Sequence, residues 1–260
     1  MLSGVTGCAI GGTTAGAGNL ISGNSIQGVL ISGGSGNAVQ GNTIGVNRLG
    51  VNGDPLANGQ FGLVINNASV NNLIGGTVAG SSNLIASNPL GGVIVGSSIN
   101  DNSTGNRIQR NSIFNNGASG GLGIDLGTDG VTQNDLKDQD SSGPNLRRNF
   151  PLISNIQVSG TTITVNGILD TTNPQNSTVD LYANATSNPS GFGEGGTYIG
   201  STTPSATGDW TFTGPVAVTG LFSRVNTGTA DSDANVRKAP LPTGGLTFIT
   251  AMTIDGAGNS

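Results

Sequence analysis

Six oxygen-bearing side chains crowd one stretch of this chain: Asp125, Asp129, Asn134, Asp135, Asp138 and Asp140. Hard oxygen donors in a glycine-containing loop are the ligand type that Ca²⁺ takes, so Asp125, Asp129, Asp135, Asp138 and Asp140 form a candidate calcium set. Their spacing is neither that of an EF-hand loop nor that of a Gly-Gly-x-Gly-x-Asp array. The competing reading is a solvated linker, in which the same carboxylates cap turns and pair with Lys137, Arg147 or Arg148.

Elsewhere few residues offer chemistry. Between residues 19 and 120 the charges are Arg48, Asp54, Asp101, Arg107 and Arg110. Arg107 and Arg110 flank Ile108 and must both leave the face that buries it. There they offer a cationic base or clamp for a polysaccharide, or simply two solvated side chains. The chain has no histidine, so general-base catalysis near neutral pH would need a strongly shifted Asp or Lys. Tyr182 and Trp210 are candidate sugar-stacking platforms, although a lone Trp among strands serves equally as core.

The elements that must position these residues are foretold by composition. The 260 residues include 46 Gly, with 9% charged and 4% aromatic residues, against about 7% Gly and about 25% charged in ordinary globular chains. The glycines have no period of three and the hydrophobics recur at short intervals, which excludes collagen and plain disorder and leaves repetitive β structure. A net charge of −5 provides no basic footprint for nucleic acid or anionic lipid. No apolar run is long enough to span a membrane. Cys8 cannot form an internal disulfide and is expected to be a small buried hydrophobe; Val5-Thr6-Gly7-Cys8 lacks the basic start of a lipoprotein leader.

One phrase, Asn-x-aliphatic-x-x-Asn, recurs as Asn19-Leu-Ile-Ser-Gly-Asn24, Asn37-Ala-Val-Gln-Gly-Asn42, Asn83-Leu-Ile-Ala-Ser-Asn88 and Asn106-Arg-Ile-Gln-Arg-Asn111, with a variant at Asn72-Leu-Ile-Gly-Gly. A second, Gly followed by aliphatics, alternates with it at Gly28, Gly62, Gly92 and Gly123. Each phrase is too short to bury an apolar face alone and is bounded by residues that tolerate positive φ, so the units must stack on one another. With Val29, Ile31 and Val39 inward at period two, this predicts a parallel β-solenoid of four to five coils. Stacked amide ladders are expected at its Asn corners. Residues 46–60 and 75–82 are expected to bulge as loops. Beyond Pro151 the alternating runs Thr161–Leu169, Ser177–Ala183, Tyr198–Thr202, Asp209–Thr213 and Leu246–Ile254 predict an antiparallel β-sandwich, with 224–245 as a long loop.

The Asn-x-Ile-x-x-Asn coils, the Ile10–Asn24 loop and Gly121-Leu-Gly-Ile-Asp-Leu-Gly127 resemble the right-handed parallel β-helix repeats of bacterial surface proteins, over roughly residues 4–150. Gly208-Asp-Trp-Thr-Phe-Thr213 and Thr250–Ser260 are similar to the immunoglobulin-like modules of bacterial adhesins. The resemblance implies an all-β chain of two domains: residues 1–149, a β-helix with an acidic loop at 125–140, and residues 150–260, an immunoglobulin-like sandwich. It implies an extracellular or bacterial cell-surface location, the chain being either a mature exported protein or part of a longer one. The expected function is a structural or adhesive module without a catalytic site. Such a module is expected to bind glycans, or to assemble into fibres through open β-helix ends. The alternative is a polysaccharide lyase or glycoside hydrolase of the β-helix type. No cofactor is expected beyond the possible calcium.

Overall fold

The computed structural model describes residues 1–47, 56–118, 120–185, 188, 190–215, 222–225, 247–255 and 258–259. The first half winds as a parallel solenoid. Its first coil carries β1 (Leu2–Ser3), β2 (Ala9–Gly11) and β3 (Leu20–Ile21), and the second β4 (Val29–Ser32), β5 (Ala38–Gln40) and β6 (Thr43–Ile44). The third has β7 (Phe61–Asn66), β8 (Leu73–Gly75) and β9 (Leu84–Ala86). The fourth has β10 (Gly91–Val95), β11 (Arg107–Gln109) and β12 (Ser112–Phe114), and β13 (Ile124–Leu126) opens a fifth. Equivalent strands stack in parallel into three sheets, ordered β1-β4-β7-β10-β13, β2-β5-β8-β11 and β3-β6-β9-β12.

The register explains why such short strands hold. Ile31, Ile65, Val95 and Leu126 align on successive coils of the first sheet. Ile10, Val39, Ile74 and Ile108 align in the second, and Ile21, Ile44, Ile85 and Ile113 in the third. These columns converge into one apolar core. No strand has enough buried area to fold by itself; each acquires it from the coils above and below.

The first sheet departs from simple inward alternation. Its outward column, Leu30, Val64, Ile94 and Asp125, begins with three aliphatics, and Ile94 is 1% exposed. A second layer covers this flank near its upper end: a Cβ at Gly96 would lie 2.4 Å from Pro144 Cγ, so the segment after β13 folds back over the outside of β10.

The expected amide ladders run the length of the solenoid in three rows. In the first, Asn37, Asn72, Asn106 and Asn145 succeed one another. The N–H and Nδ2 of Asn37 both donate to Asn72 Oδ1 at 2.9 Å, and Asn72 repeats this to Asn106 Oδ1. Asn106 donates its N–H to Asn145 Oδ1 at 3.0 Å. The second row is Asn19, Asn42, Asn83 and Asn111. The third is Asn24, Asn58, Asn88 and Asn116. The recurring phrase is therefore one strand flanked by two ladder corners.

Cys8 differs from expectation. It occupies the first place in the first row and donates its N–H to Asn37 Oδ1 at 2.9 Å, and its side chain is half-exposed rather than buried.

The second half forms two packed sheets. The first joins β14 (Leu152–Ser159), β15 (Thr162–Ile168) and β18 (Asp209–Pro215), all antiparallel. The second joins β17 (Thr197–Thr202), β16 (Thr178–Asn184), β20 (Thr247–Asp255) and β19 (Phe222–Val225), with β21 (Gly258–Asn259) also on β20. β19 runs parallel to β20, a departure from the purely antiparallel expectation. Ile153, Ile163 and Val165 of one sheet and Val179, Leu181 and Ile249 of the other share a core with Trp210 and Phe212. Trp210 is thus a core residue, facing Gly167 across the strand pair; a Cβ on Gly167 would come within 2.1 Å of the indole. Most of the 46–60 loop and of the 224–245 loop lies outside the described residues.

Candidate functional site: the capped end of the solenoid

The carboxylates of the acidic segment are dispersed rather than gathered. The segment is itself an enlarged solenoid corner: the chain passes from Ile31 to Asn37, from Ile65 to Asn72, from Val95 to Asn106 and finally from Leu126 to Asn145 before regaining the first row. Within it Asp138 pairs with Arg148 and accepts the Asn149 N–H, and Asp140 pairs with Arg147 at 2.8 Å. Asp135 accepts the Gln139 N–H at 3.0 Å. Asp129 is exposed, and Asp125 lies on the outer side of β13. Among the described residues no group of three or more His, Cys, Asp or Glu is placed to hold a metal ion.

Burial pushes the Asp125 carboxyl up to about 6; N–H groups of Gly130 and Thr128 pull the other way, and neighbouring Asp129 adds to the rise. Asp101 shows the opposite balance. Burial would raise it, but the Ser103 hydroxyl and the N–H groups of Ser97, Asn67 and Ala68 bring it down to about 2. Asp101 therefore clamps two coils: it accepts from Asn67 and Ala68 of the coil below, both with φ near +60° (59° and 56°), and from Ser97 and Ser103 of its own.

Arg107 is exposed on β11. Arg110 turns toward the second half, its guanidinium 4.7 Å from the Tyr198 ring centroid. Tyr198 OH and Ser201 Oγ lie 2.5 Å apart, and Ser201 donates to Asp180 Oδ1. Burial raises the Asp180 carboxyl, and the Ser201 bond and the Arg110 charge partly offset that. Burial likewise raises the Tyr182 phenol. These groups bind the last full coil to the second half.

That junction is the best-formed site in the molecule. β16 is buried on both faces: Val179, Leu181 and Ala183 point into the sandwich, while Tyr182 joins Met252 and Ile254 against Ile124 of the solenoid. The 3-residue run Glu194–Gly196 lies across the coil end. Gly195 O accepts the Ile113 N–H at 2.8 Å, and Gly196 O accepts the Ser112 hydroxyl. Glu194 Oε1 accepts the N–H and Nδ2 of Asn116 at 3.0 and 3.2 Å.

A cavity of about 150 Å³ remains between coil end and covering sheet, lined among others by Ile108, Asn111, Leu122 and Phe192. Composition and periodicity held no sign of it, because it arises where two differently patterned halves meet. The chain's one glutamate within an otherwise uncharged stretch was the available signal for the cap. Among the described residues no helix is long and apolar enough to cross a membrane. The chain matches no family model, no curated protein and no solved structure, so its fold and site stand on their own geometry.

Proposed function

We propose that the chain is a structural or adhesive module of an extracellular or bacterial surface protein, its second half an immunoglobulin-like unit that ends a β-helix stalk. One observation carries this reading: Asp101 and Arg110, two charged side chains of the solenoid, are engaged in holding it together. Asp101 satisfies both oxygens on adjacent coils, and Arg110 stacks on Tyr198. A hydrolase needs two carboxylates facing a common groove, and a lyase needs a base beside a charge-stabilising group. The outer wall instead presents uncharged groups such as Gln40 and Thr43, suited to weak contacts with glycans or neighbouring proteins.

Self-association, on this reading, uses the unpaired backbone of an exposed coil edge, which can pair with a neighbouring copy. Incubation with pectin and alginate, followed by assay for reducing ends and unsaturated uronates, tests the non-enzymatic reading. No product is expected. Product formation that disappears in Arg107→Ala or Arg110→Ala would replace it with a lyase or hydrolase. Light scattering and electron microscopy test the association: oligomers or fibres are expected, and only dispersed single particles across pH and salt would overturn it.

A further inference from the structure

The three asparagine rows end differently. At every step within a row, the backbone N–H or an Nδ2 hydrogen of one Asn, usually both, meets the Oδ1 of the next. The first row ends on Asn145 Oδ1 and the third on Glu194 Oε1. The second row stops at Asn111 with no such oxygen above it.

Asn111 is 3% exposed. Its Oδ1 receives the donor pair of Asn83 and its Nδ2 donates once, to Ile74 O at 2.8 Å. Among the described residues its backbone N–H and second Nδ2 hydrogen meet no acceptor. Two buried donors converging on one empty oxygen position are costly when nothing replaces water. These two lie at the wall of the cavity described above.

The rest of that wall says what could bring the oxygen. Ile108, Ile113, Leu122, Tyr182, Phe192 and Met252 give it an apolar body. Of its polar side chains, Arg148 pairs with Asp138, Glu194 with Asn116, and Thr250 with Glu194 O and Asn184, while the buried Tyr182 hydroxyl has no side-chain partner among the described residues. A volume of about 150 Å³ is that of cavities known to admit a benzene-sized ring.

We propose that this cavity is a binding site for a small, flat apolar molecule carrying one carbonyl or carboxylate oxygen, which seats on the N–H and Nδ2 of Asn111 as the next member of the second row. Glu194 on Asn116 shows that a carboxylate fits such a donor pair, and Asn145 on Asn106 shows that an amide oxygen does. The ring replaces the side-chain packing that a further coil would have supplied.

Benzamide and benzoate are the probes, with toluene as the ring that lacks the oxygen. Amide NMR spectra of the full chain are recorded on titration with each, alongside thermal melts. Benzamide, benzoate or both are expected to shift the backbone and side-chain amide signals of Asn111 saturably and to raise the melting temperature, with toluene at least tenfold weaker. Whichever of the two binds more tightly identifies the neutral or the charged oxygen as the natural kind. Asn111 itself is left intact, since its replacement would break the second row. Val131→Phe, in the loop lining the cavity, is expected to abolish the shifts while leaving the unliganded melt within a few degrees. Three results would each overturn the proposal: no response of Asn111 to either oxygen-bearing probe, equal binding of toluene, or undiminished binding in Val131→Phe. A lone ordered water on Asn111 that persists in crystals soaked with the probes would also overturn it.

Discussion

Glu194 Oε1 stands 3.0 Å from the backbone nitrogen of Asn116 and 3.2 Å from its Nδ2, in the position the next coil's asparagine would fill. A residue from the second half thus closes a repeat of the first. Glu194→Gln keeps an oxygen at the same place and is expected to change stability by less than about 1 kcal/mol. Glu194→Ala leaves two donors facing nothing and is expected to cost about 1–3 kcal/mol. Urea unfolding of both variants checks this; equal losses would mean that the interaction is ionic and not positional.

Asn83 is engaged on both sides of its row. It accepts from the N–H and Nδ2 of Asn42 and donates to Asn111 Oδ1 and Val39 O, while 0% exposed. Asn83→Ala removes one amide but strands partners on two coils, and a loss on the order of 3 kcal/mol or more is expected. The exposed Asn100, which has no left-handed backbone, serves as the control and is expected to tolerate Ala within about 0.5 kcal/mol. The comparison is made by thermal melting; equal effects would deny the ladder its role.

Asp125 gives the fold a pH dependence of definite sign. Its carboxyl titrates near 6 when folded and at its ordinary 3.8 when unfolded, so the folded chain binds the extra proton between those values. Stability from this group therefore falls as pH rises through that window, and the burden is complete above about pH 6. Asp125→Asn is expected to stabilise the protein near neutral pH by on the order of 1 kcal/mol, with the gain gone below about pH 4. A gain that is constant with pH would trace to packing and not to the charge.

Asp101 acts in the opposite direction. Its folded carboxyl lies at about 2, below the ordinary 3.8, so its contribution is present above about pH 4 and is lost as pH falls toward 2. Asp101→Asn is expected to destabilise near neutral pH and to match the parent in strong acid. Unfolding curves at both pH values decide it.

Calcium is expected to leave the melting temperature unchanged, and chelator likewise, because Asp138 and Asp140 already face Arg148 and Arg147. A rise of several degrees in millimolar Ca²⁺ would instead revive Asp125, Asp129, Asp135, Asp138 and Asp140 as a ligand set.

Much of the solenoid was legible because its determinants are local. An aliphatic inside a strand and an asparagine at a corner recur within a few residues, and the registers Ile10-Val39-Ile74-Ile108 follow from aligning them. Where a corner lengthens, the signal fades: Asn58 belongs to the third row yet lies in what reads as a polar loop. The phrase also conceals that its asparagines come from different rows, since Asn37 and Asn42 serve the first and second while Asn83 and Asn88 serve the second and third. The acidic cluster is hard to read for a related reason. Proximity along the chain says nothing about which carboxylates face arginines once a long corner folds back. The contact of Glu194 with Asn116 joins residues 78 positions apart in halves of different texture, and no period spans it.

The asparagine rows also have a common polarity. In each of them Oδ1 faces the coil that precedes and one Nδ2 hydrogen faces the coil that follows. Side-chain amides aligned head to tail add their dipoles as peptide groups do in an α-helix. The stack thereby carries partial positive charge at its later pole, where the sole glutamate sits, and partial negative charge at its earlier one.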